Sequence, residues 1–310
     1  MNTKRKLIPP QPSSQADFPE STLTTPGMHT IPGDLSGRCC STHTGIVYAR
    51  KSDTDLHMHI LEPRQEEGED TLFPLIVFIQ GAGWFQQQLG SELAQLASFA
   101  RRGYVIAIAE HRSSRIAPFP GHLLDIKTAL RYINTNAHTY HADPDRLTLW
   151  GNSSGGHSVV MTALTLHNPA FDEPSAEGDL PVIKAVVDYF GPTDISRMNE
   201  DPSTMDHIGP QSPEGSLIGE LNVLENLDKA AATNPMNYIT AEADIPPMLI
   251  FHGNKDPLVP FGQSILLFEA LQAAGKTAAF YNVKGAGHGG PAFWTEPVFD
   301  IIEASIKRHI

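Results

Sequence analysis

The sequence predicts an α/β fold, a mostly parallel central sheet with helices on both faces and a small irregular insertion over the strand ends. Three observations predict it. Short, nearly continuous apolar runs recur along the chain, the pattern of strands buried on both faces. Segments with helical spacing alternate with them. Residues 195–240 break that rhythm, mixing Pro, Ser, Asn and Glu among short apolar groups. In such a fold ligands bind beyond the carboxyl ends of the strands, so chemistry is expected where strands become loops.

Element by element, residues 1–42 carry Pro at positions 9, 10, 12, 19, 26 and 32 among Ser, Thr and Gly, without strand or helix periodicity. They read as an extended N-terminal arm preceding one domain over residues 43–310. Alternation at Ile46 and Tyr48 and again over 56–61 predicts two antiparallel edge strands. Buried strands follow at 73–79, 104–109, 147–150, 182–187 and 248–251, with a weaker one at 278–283. Helices are predicted at 89–102, 123–136, 155–165, 262–274 and 297–307. The insertion holds a helical hint at 221–232.

The chain has 310 residues and 35 acidic against 22 basic side chains, a formal charge of −13. That surface repels phosphate backbones and anionic lipid, which excludes nucleic acid and acidic membrane faces as partners. The most apolar stretches, 74–79 and 159–166, fall short of the roughly 20 residues needed to cross a bilayer. The basic start at residues 1–6 is followed by Leu7-Ile8-Pro9-Pro10 rather than an apolar run, so secretion is not indicated and a cytoplasmic protein is expected. Cys39 and Cys40 are adjacent, which disfavours a structural disulfide. Oligomeric state is left open.

The strand at 147–150 runs into Gly151-Asn152-Ser153-Ser154-Gly155-Gly156-His157 and a helix follows at once. This is Gly-x-Ser-x-Gly between strand and helix, a turn that strains the central serine and is tolerable where residues two before and two after lack side chains. Ser153 is the candidate nucleophile. Ser154 lacks the frame, because Asn152 stands two residues before it. The plain alternative for Ser153 is a helix N-cap. A serine hydroxyl needs a histidine base, itself oriented by a carboxylate. Asp256 lies in a Gly- and Pro-shaped turn after strand 248–251, and His288 lies in the bed Lys284-Gly285-Ala286-Gly287-His288-Gly289-Gly290. The order Ser153, Asp256, His288 is the one expected of a strand-to-helix elbow. Asp256 has an alternative as a cap for the helix near Phe261, and Asp194 and His157 are the runners-up for acid and base.

Acyl transfer also needs main-chain amides for the oxyanion. One is expected from Ser154, and others from Ala82 and Gly83 in Gln80-Gly81-Ala82-Gly83-Trp84, the loop after strand 73–79. Trp84 and Phe85 are then expected to wall the substrate side, with Trp294 as a further aromatic.

Over residues 45–310 the chain resembles the α/β-hydrolase superfamily, in particular carboxylesterases similar to bacterial feruloyl esterases and hormone-sensitive-lipase relatives. The resemblance is carried by Gln80-Gly81-Ala82-Gly83-Trp84, by Ala117-Pro118-Phe119-Pro120 leading to Asp125, and by Asp143-Pro144-Asp145-Arg146 before the elbow. It continues in Phe190-Gly191-Pro192-Thr193-Asp194 and in Ser212-Pro213-Glu214-Gly215-Ser216-Leu217-Ile218-Gly219. It implies the triad Ser153, Asp256 and His288, structural roles for Arg112 and Asp125, and a variable substrate-proximal region at 212–219. Gln80, Ala82 and Asn152 depart from the His, Gly and acidic residue usual there.

The expected activity is hydrolysis of carboxylic esters through an acyl-enzyme, on small acetyl or aryl-acyl esters including those of carbohydrates. It needs no metal or organic cofactor. A peptidase or amidase on the same scaffold is the nearest alternative, and a non-catalytic small-molecule binder the alternative of another class.

Overall fold

The computed structural model describes residues 8–14, 17–33, 37–65, 68–174 and 176–310. The chain divides into two units, Met1–Gly37 and Arg38–Ile310. The described residues of the first carry turns and bends and no helix or strand; everything below concerns the second.

Strands β1 (Cys40–Lys51) and β2 (Thr54–Pro63) form an antiparallel hairpin, closed by Ser52 and Asp53, both at positive φ (48° and 58°), as a two-residue turn matching strand twist requires. β1 starts inside the stretch assigned to the arm. Cys40, Ser41 and Thr42 pair with Pro63, Glu62 and Leu61, but their small polar side chains give no alternation to read. The other elements are β3 (Phe73–Ile79), α1 (Leu93–Ala100), β4 (Val105–Ala109), α2 (Gly121–Asn136), β5 (Ala142–Asn152), α3 (Ser154–Leu164) and β6 (Ile183–Tyr189). After the insertion come β7 (Met248–Gly253), α6 (Gly262–Ala273), β8 (Ala278–Val283) and α7 (Glu296–His309). β5 begins five residues before the predicted run because Ala142 and Asp143 pair with Phe73 and Pro74 ahead of a register shift. Its charged start masks it in sequence.

The eight strands lie in the order β1-β2-β4-β3-β5-β6-β7-β8, parallel from β4 through β8 and antiparallel at β1–β2 and β2–β4. Alternation along each strand splits the interior into two cores. Leu75, Val77 and Ile79 of β3 and Val105 and Ala107 of β4 face the helices α2, α3 and α6. Ile76 and Phe78 of β3 and Ile106 and Ile108 of β4 face α1 and α7. Each inward side chain is worth about 1.5–3 kcal/mol of burial, which is why these strands read as unbroken apolar runs.

The insertion holds 3-10 turns at Ile195–Glu200, Val223–Glu225 and Pro235–Tyr238 and the short helices α4 (Pro213–Leu217) and α5 (Leu227–Thr233). The predicted hint at 221–232 resolves into the second turn and most of α5. Ile195, Leu217, Ile218, Val223 and Ala230 pack together with Trp84, so the insertion is anchored on the loop that follows β3. Among the described residues no helix is long and apolar enough to cross a membrane.

Candidate active site

Ser153 joins β5 to α3 at φ 52° and ψ −129°, a conformation L-residues rarely adopt. The flanking glycines make it possible. A Cβ on Gly151 would run into the Gly155 carbonyl, and one on Gly155 into the Ile79 carbonyl. Ser153 occupies the N-cap position of α3, yet its hydroxyl makes no capping bond. It meets His288 Nε2 at 2.9 Å instead.

His288 Nδ1 lies 2.7 Å from Asp256 Oδ2. Asp256 Oδ1 accepts the N–H groups of Leu258 and Val259 at 2.8 and 3.0 Å, folding the turn after β7 around the carboxylate. It does not cap α6. Burial would raise the Asp256 carboxyl, but hydrogen bonds from His252 and His288, the His288 charge and the Leu258 amide outweigh it and hold the group well below the usual carboxylate range. An ionised Asp256 fixes a hydrogen on His288 Nδ1 and leaves Nε2 to accept the Ser153 proton. Phe190, at φ 43°, packs its ring 4.6 Å from the His288 ring. The three residues expected to form a triad are thus brought together from three distant stretches of chain.

The runners-up are used elsewhere. Asp194 caps the turn Ile195–Glu200 by accepting the Ser196 N–H. His157 is buried, accepts the Trp84 indole N–H at Nδ1 and faces the Thr233 carbonyl at Nε2. Arg112 and Asp125 form a multiply hydrogen-bonded ion pair with Asp125 fully buried.

Of the expected oxyanion donors, the N–H groups of Gly83 and Ser154 have no partner among the described residues. The Ala82 N–H differs from expectation: it donates to Ser154 Oγ at 3.0 Å. The Ser154 hydroxyl beside the nucleophile supplies an acceptor that a glycine or alanine there would lack. Gly81 is pinned as well, its N–H donating to Asn152 Oδ1 at 2.6 Å. Asn152 Nδ2 in turn reaches Glu92 Oε1 at 3.4 Å. Gln80 Oε1 accepts the Gln88 N–H, so the loop is tied from both ends.

A cavity of about 460 Å³ opens over Ser153 and His288, within the range of small-ligand sites. Phe85 and Trp294 line it, Phe85 with the Arg115 guanidinium 4.7 Å from its ring centroid. Trp84, expected as a wall, borders the cavity but is 1% exposed; its indole belongs to the core of the insertion, where its N–H has found His157. Three polar groups of the lining were not found by sequence reasoning: Glu92, His207 and Glu214. Burial pushes the Glu92 carboxyl up, against the Asn152 hydrogen bond. Glu214 lies in the segment marked by resemblance as substrate-proximal, and Ser212 capping the Gly215 N–H is the local signal that a helix begins there.

A mostly parallel sheet with a strained strand-to-helix serine, and a histidine and a buried aspartate on later loops, defines an α/β hydrolase. The chain belongs to the BD-FAE family, whose profile matches residues 58–271, more than half of it. Among curated relatives, "Esterase LipQ" of Mycobacterium tuberculosis is 27% identical over 221 residues, covering 69% of this chain and 50% of its own. "Esterase LipC" of the same organism is 27% identical over 218 residues, covering 70% and 53%. The chain therefore spans about half the length of the curated relatives it matches. A solved structure described as a truncated form of carbohydrate esterase from gut microbiota superposes with a TM-score of 0.72 at 29% identity, covering 87% of this chain and 96% of that one.

Proposed function

We propose that this chain is a serine carboxylic-ester hydrolase acting through an acyl-enzyme on small acetyl or aryl-acyl esters, those of carbohydrates included. The observation that carries the reading is the pair of contacts at one imidazole: His288 Nε2 to Ser153 Oγ at 2.9 Å and Nδ1 to Asp256 Oδ2 at 2.7 Å. Ser153 attacks the ester carbonyl as His288 takes its proton, and Asp256 steadies the imidazolium. The Gly83 and Ser154 amides receive the oxyanion. His288 passes the proton to the departing alcohol, leaving the acyl group on Ser153. Water, deprotonated by the same imidazole, then attacks the acyl carbonyl, and Ser153 leaves with the returned proton. The cavity volume suits a small ester, and the names of the matched esterases and the carbohydrate esterase support the ester class.

Labelling with a fluorophosphonate probe tests the nucleophile: wild-type protein is labelled and Ser153→Ala is not. Rates on a chain-length series of nitrophenyl esters beside acetylated sugars and a feruloyl ester then rank the acyl and alcohol groups. Labelling that persists in Ser153→Ala refutes the assignment.

A further inference from the structure

The insertion grips the turn that carries Asp256. In a trans peptide the N–H and C=O point opposite ways, and two successive peptide groups of this turn are held at both ends. The Pro257–Leu258 group donates its N–H to Asp256 Oδ1 at 2.8 Å, and its carbonyl accepts the Thr204 N–H and the Thr204 hydroxyl, each at 2.8 Å. The Leu258–Val259 group donates its N–H to the same oxygen at 3.0 Å, and its carbonyl accepts the Ser203 hydroxyl at 2.9 Å and faces His207 Nε2 at 3.0 Å. Hydrogen bonds in series polarise one another, so what holds the carbonyls also strengthens the grip on the carboxylate.

On the other side of its ring, His207 Nδ1 lies 2.9 Å from Glu214 Oε1 in α4. A carbonyl oxygen and a carboxylate oxygen only accept, so the ring satisfies both partners only with a hydrogen on each nitrogen, as the imidazolium. His207 and Glu214 are 2% and 3% exposed, which leaves little room for water to replace either contact. The titratable groups around the ring are Glu214, Asp206 beside it in the chain and, along the cavity it borders, Glu92 and His288. Burial would lower the His207 imidazole, but the hydrogen bond and charge of Glu214, the Leu258 carbonyl and the Asp206 charge outweigh it and raise it above its ordinary value.

We propose that His207 is a positioning residue for the Asp256–His288 pair, acting through the Leu258–Val259 peptide, and that it aims Asp256 fully only while both of its ring nitrogens carry hydrogen. The assignment rests on the esterase reading above, in which Asp256 orients the base. When the ring loses one hydrogen, a lone pair faces either the Leu258 carbonyl or Glu214. Ser203 Oγ, 2.8 Å from Nε2, answers a bare Nε2 by turning its hydroxyl to the ring, which takes a second donor from Leu258. The peptide is then free to tilt, and its N–H no longer fixes Asp256 Oδ1.

The test is the pH dependence of kcat and KM on nitrophenyl acetate, corrected for spontaneous hydrolysis, from about pH 6 to about pH 9.5 in the wild-type protein and two variants. The wild-type kcat is expected to fall about tenfold on the alkaline side with KM little changed, because binding is intact and aim is lost. His207→Gln keeps a donor for Leu258 and has nothing to titrate, so this alkaline fall should vanish. In Glu214→Gln a neutral ring can accept the new amide N–H at Nδ1 and keep its Nε2 hydrogen on Leu258. The fall should vanish there too, and this variant decides if His207→Gln does not fold. Should neither fold, the wild-type profile decides alone. A flat wild-type profile, or an alkaline fall unchanged in a folded variant, overturns the assignment. Absence of both hydrolysis and fluorophosphonate labelling at every pH would instead defeat the esterase reading itself.

Discussion

Asn152 Oδ1 accepts the Gly81 N–H at 2.6 Å, so the residue just before the candidate nucleophile holds the loop that carries the Gly83 amide. Oxyanion donors are effective because they are aimed before the reaction begins. In Asn152→Ala the loop loses this tie, and kcat on nitrophenyl acetate should fall about tenfold with KM little changed, since the donor remains but is less well aimed. Asn152→Asp keeps an acceptor for Gly81 while placing a second carboxylate against Glu92, whose carboxyl burial already pushes up. It should retain kcat within a few-fold. Equal kcat in wild type and Asn152→Ala would show that the tie does not aim the donor.

The backbone of Ser153 stores strain that the fold must offset elsewhere. At φ 52° and ψ −129° a glycine is comfortable and an alanine is not. Ser153→Gly should therefore be more stable than Ser153→Ala, by about 1 kcal/mol after allowing for the freer unfolded chain of the glycine variant, and unfold at the higher temperature. Thermal melts of the two variants measure this directly. The same stability in both would mean that the elbow relaxes.

Much of this architecture was legible in the sequence because β3 and β4 are buried on both faces and α2 and α6 are covered along one, so periodicity mirrors burial. The chain order of Ser153, Asp256 and His288 was legible for a different reason: each sits where a glycine-shaped turn follows a strand. What stayed hidden depends on side chains meeting across the fold. That Ala82 would spend its amide on Ser154 cannot be read from a loop of small residues, since an N–H belongs to every one of them. His207 and Glu214 lie in a segment without periodicity, where one histidine among 14 carries no signal. Trp84 borders the cavity as expected, but that its indole also belongs to the core could not be read, because an indole suits a pocket wall and a core equally until its N–H finds a partner.

Stability should fall as the solution is acidified, because three buried histidines, His111, His122 and His157, stand in a row with ring centroids 5.6 and 6.0 Å apart. Burial pushes all three down, His157 to about 4 despite the Thr233 carbonyl, and His122 well below its ordinary value with His111 and His157 adding repulsion. Groups lowered in the folded state leave the unfolded chain binding more protons as pH drops below 6.5, so the stability they contribute is complete above 6.5 and is lost toward 4. For His157 alone the loss is roughly 3 kcal/mol. Asp188 works the other way: burial raises it to about 7 against the Gly191 N–H, so it adds stability as pH falls. Burial raises the Glu92 carboxyl as well, so it too gains on acidification, and three lowered histidines against two raised carboxyls leave a net decline in Tm between pH 6.5 and 4. His122→Phe keeps a ring and removes a titrating group, and it should flatten that decline; an equally steep profile would place the acid sensitivity elsewhere.

Asp256 offers the sharpest separation of folding from chemistry. One carboxylate oxygen, Oδ1, builds the turn through Leu258 and Val259, while the other, Oδ2, faces His288 and, at 3.3 Å, His252. Asp256→Asn can keep its carbonyl oxygen on the two amides, so the turn survives, but its NH2 then confronts His288 Nδ1. The imidazole must answer by accepting there, which moves its hydrogen to Nε2, where the proposed mechanism needs a lone pair for the Ser153 proton. The expected outcome is a folded protein, judged by an unchanged far-ultraviolet spectrum, with kcat on nitrophenyl acetate lowered by about three to four orders of magnitude. A loss under tenfold in a folded variant would mean that His288 is not oriented through this carboxylate. Loss of the fold itself would assign Oδ2 a structural share through His252, which His252→Gln, sparing the His288 contact, would reveal by lowering Tm to a similar degree.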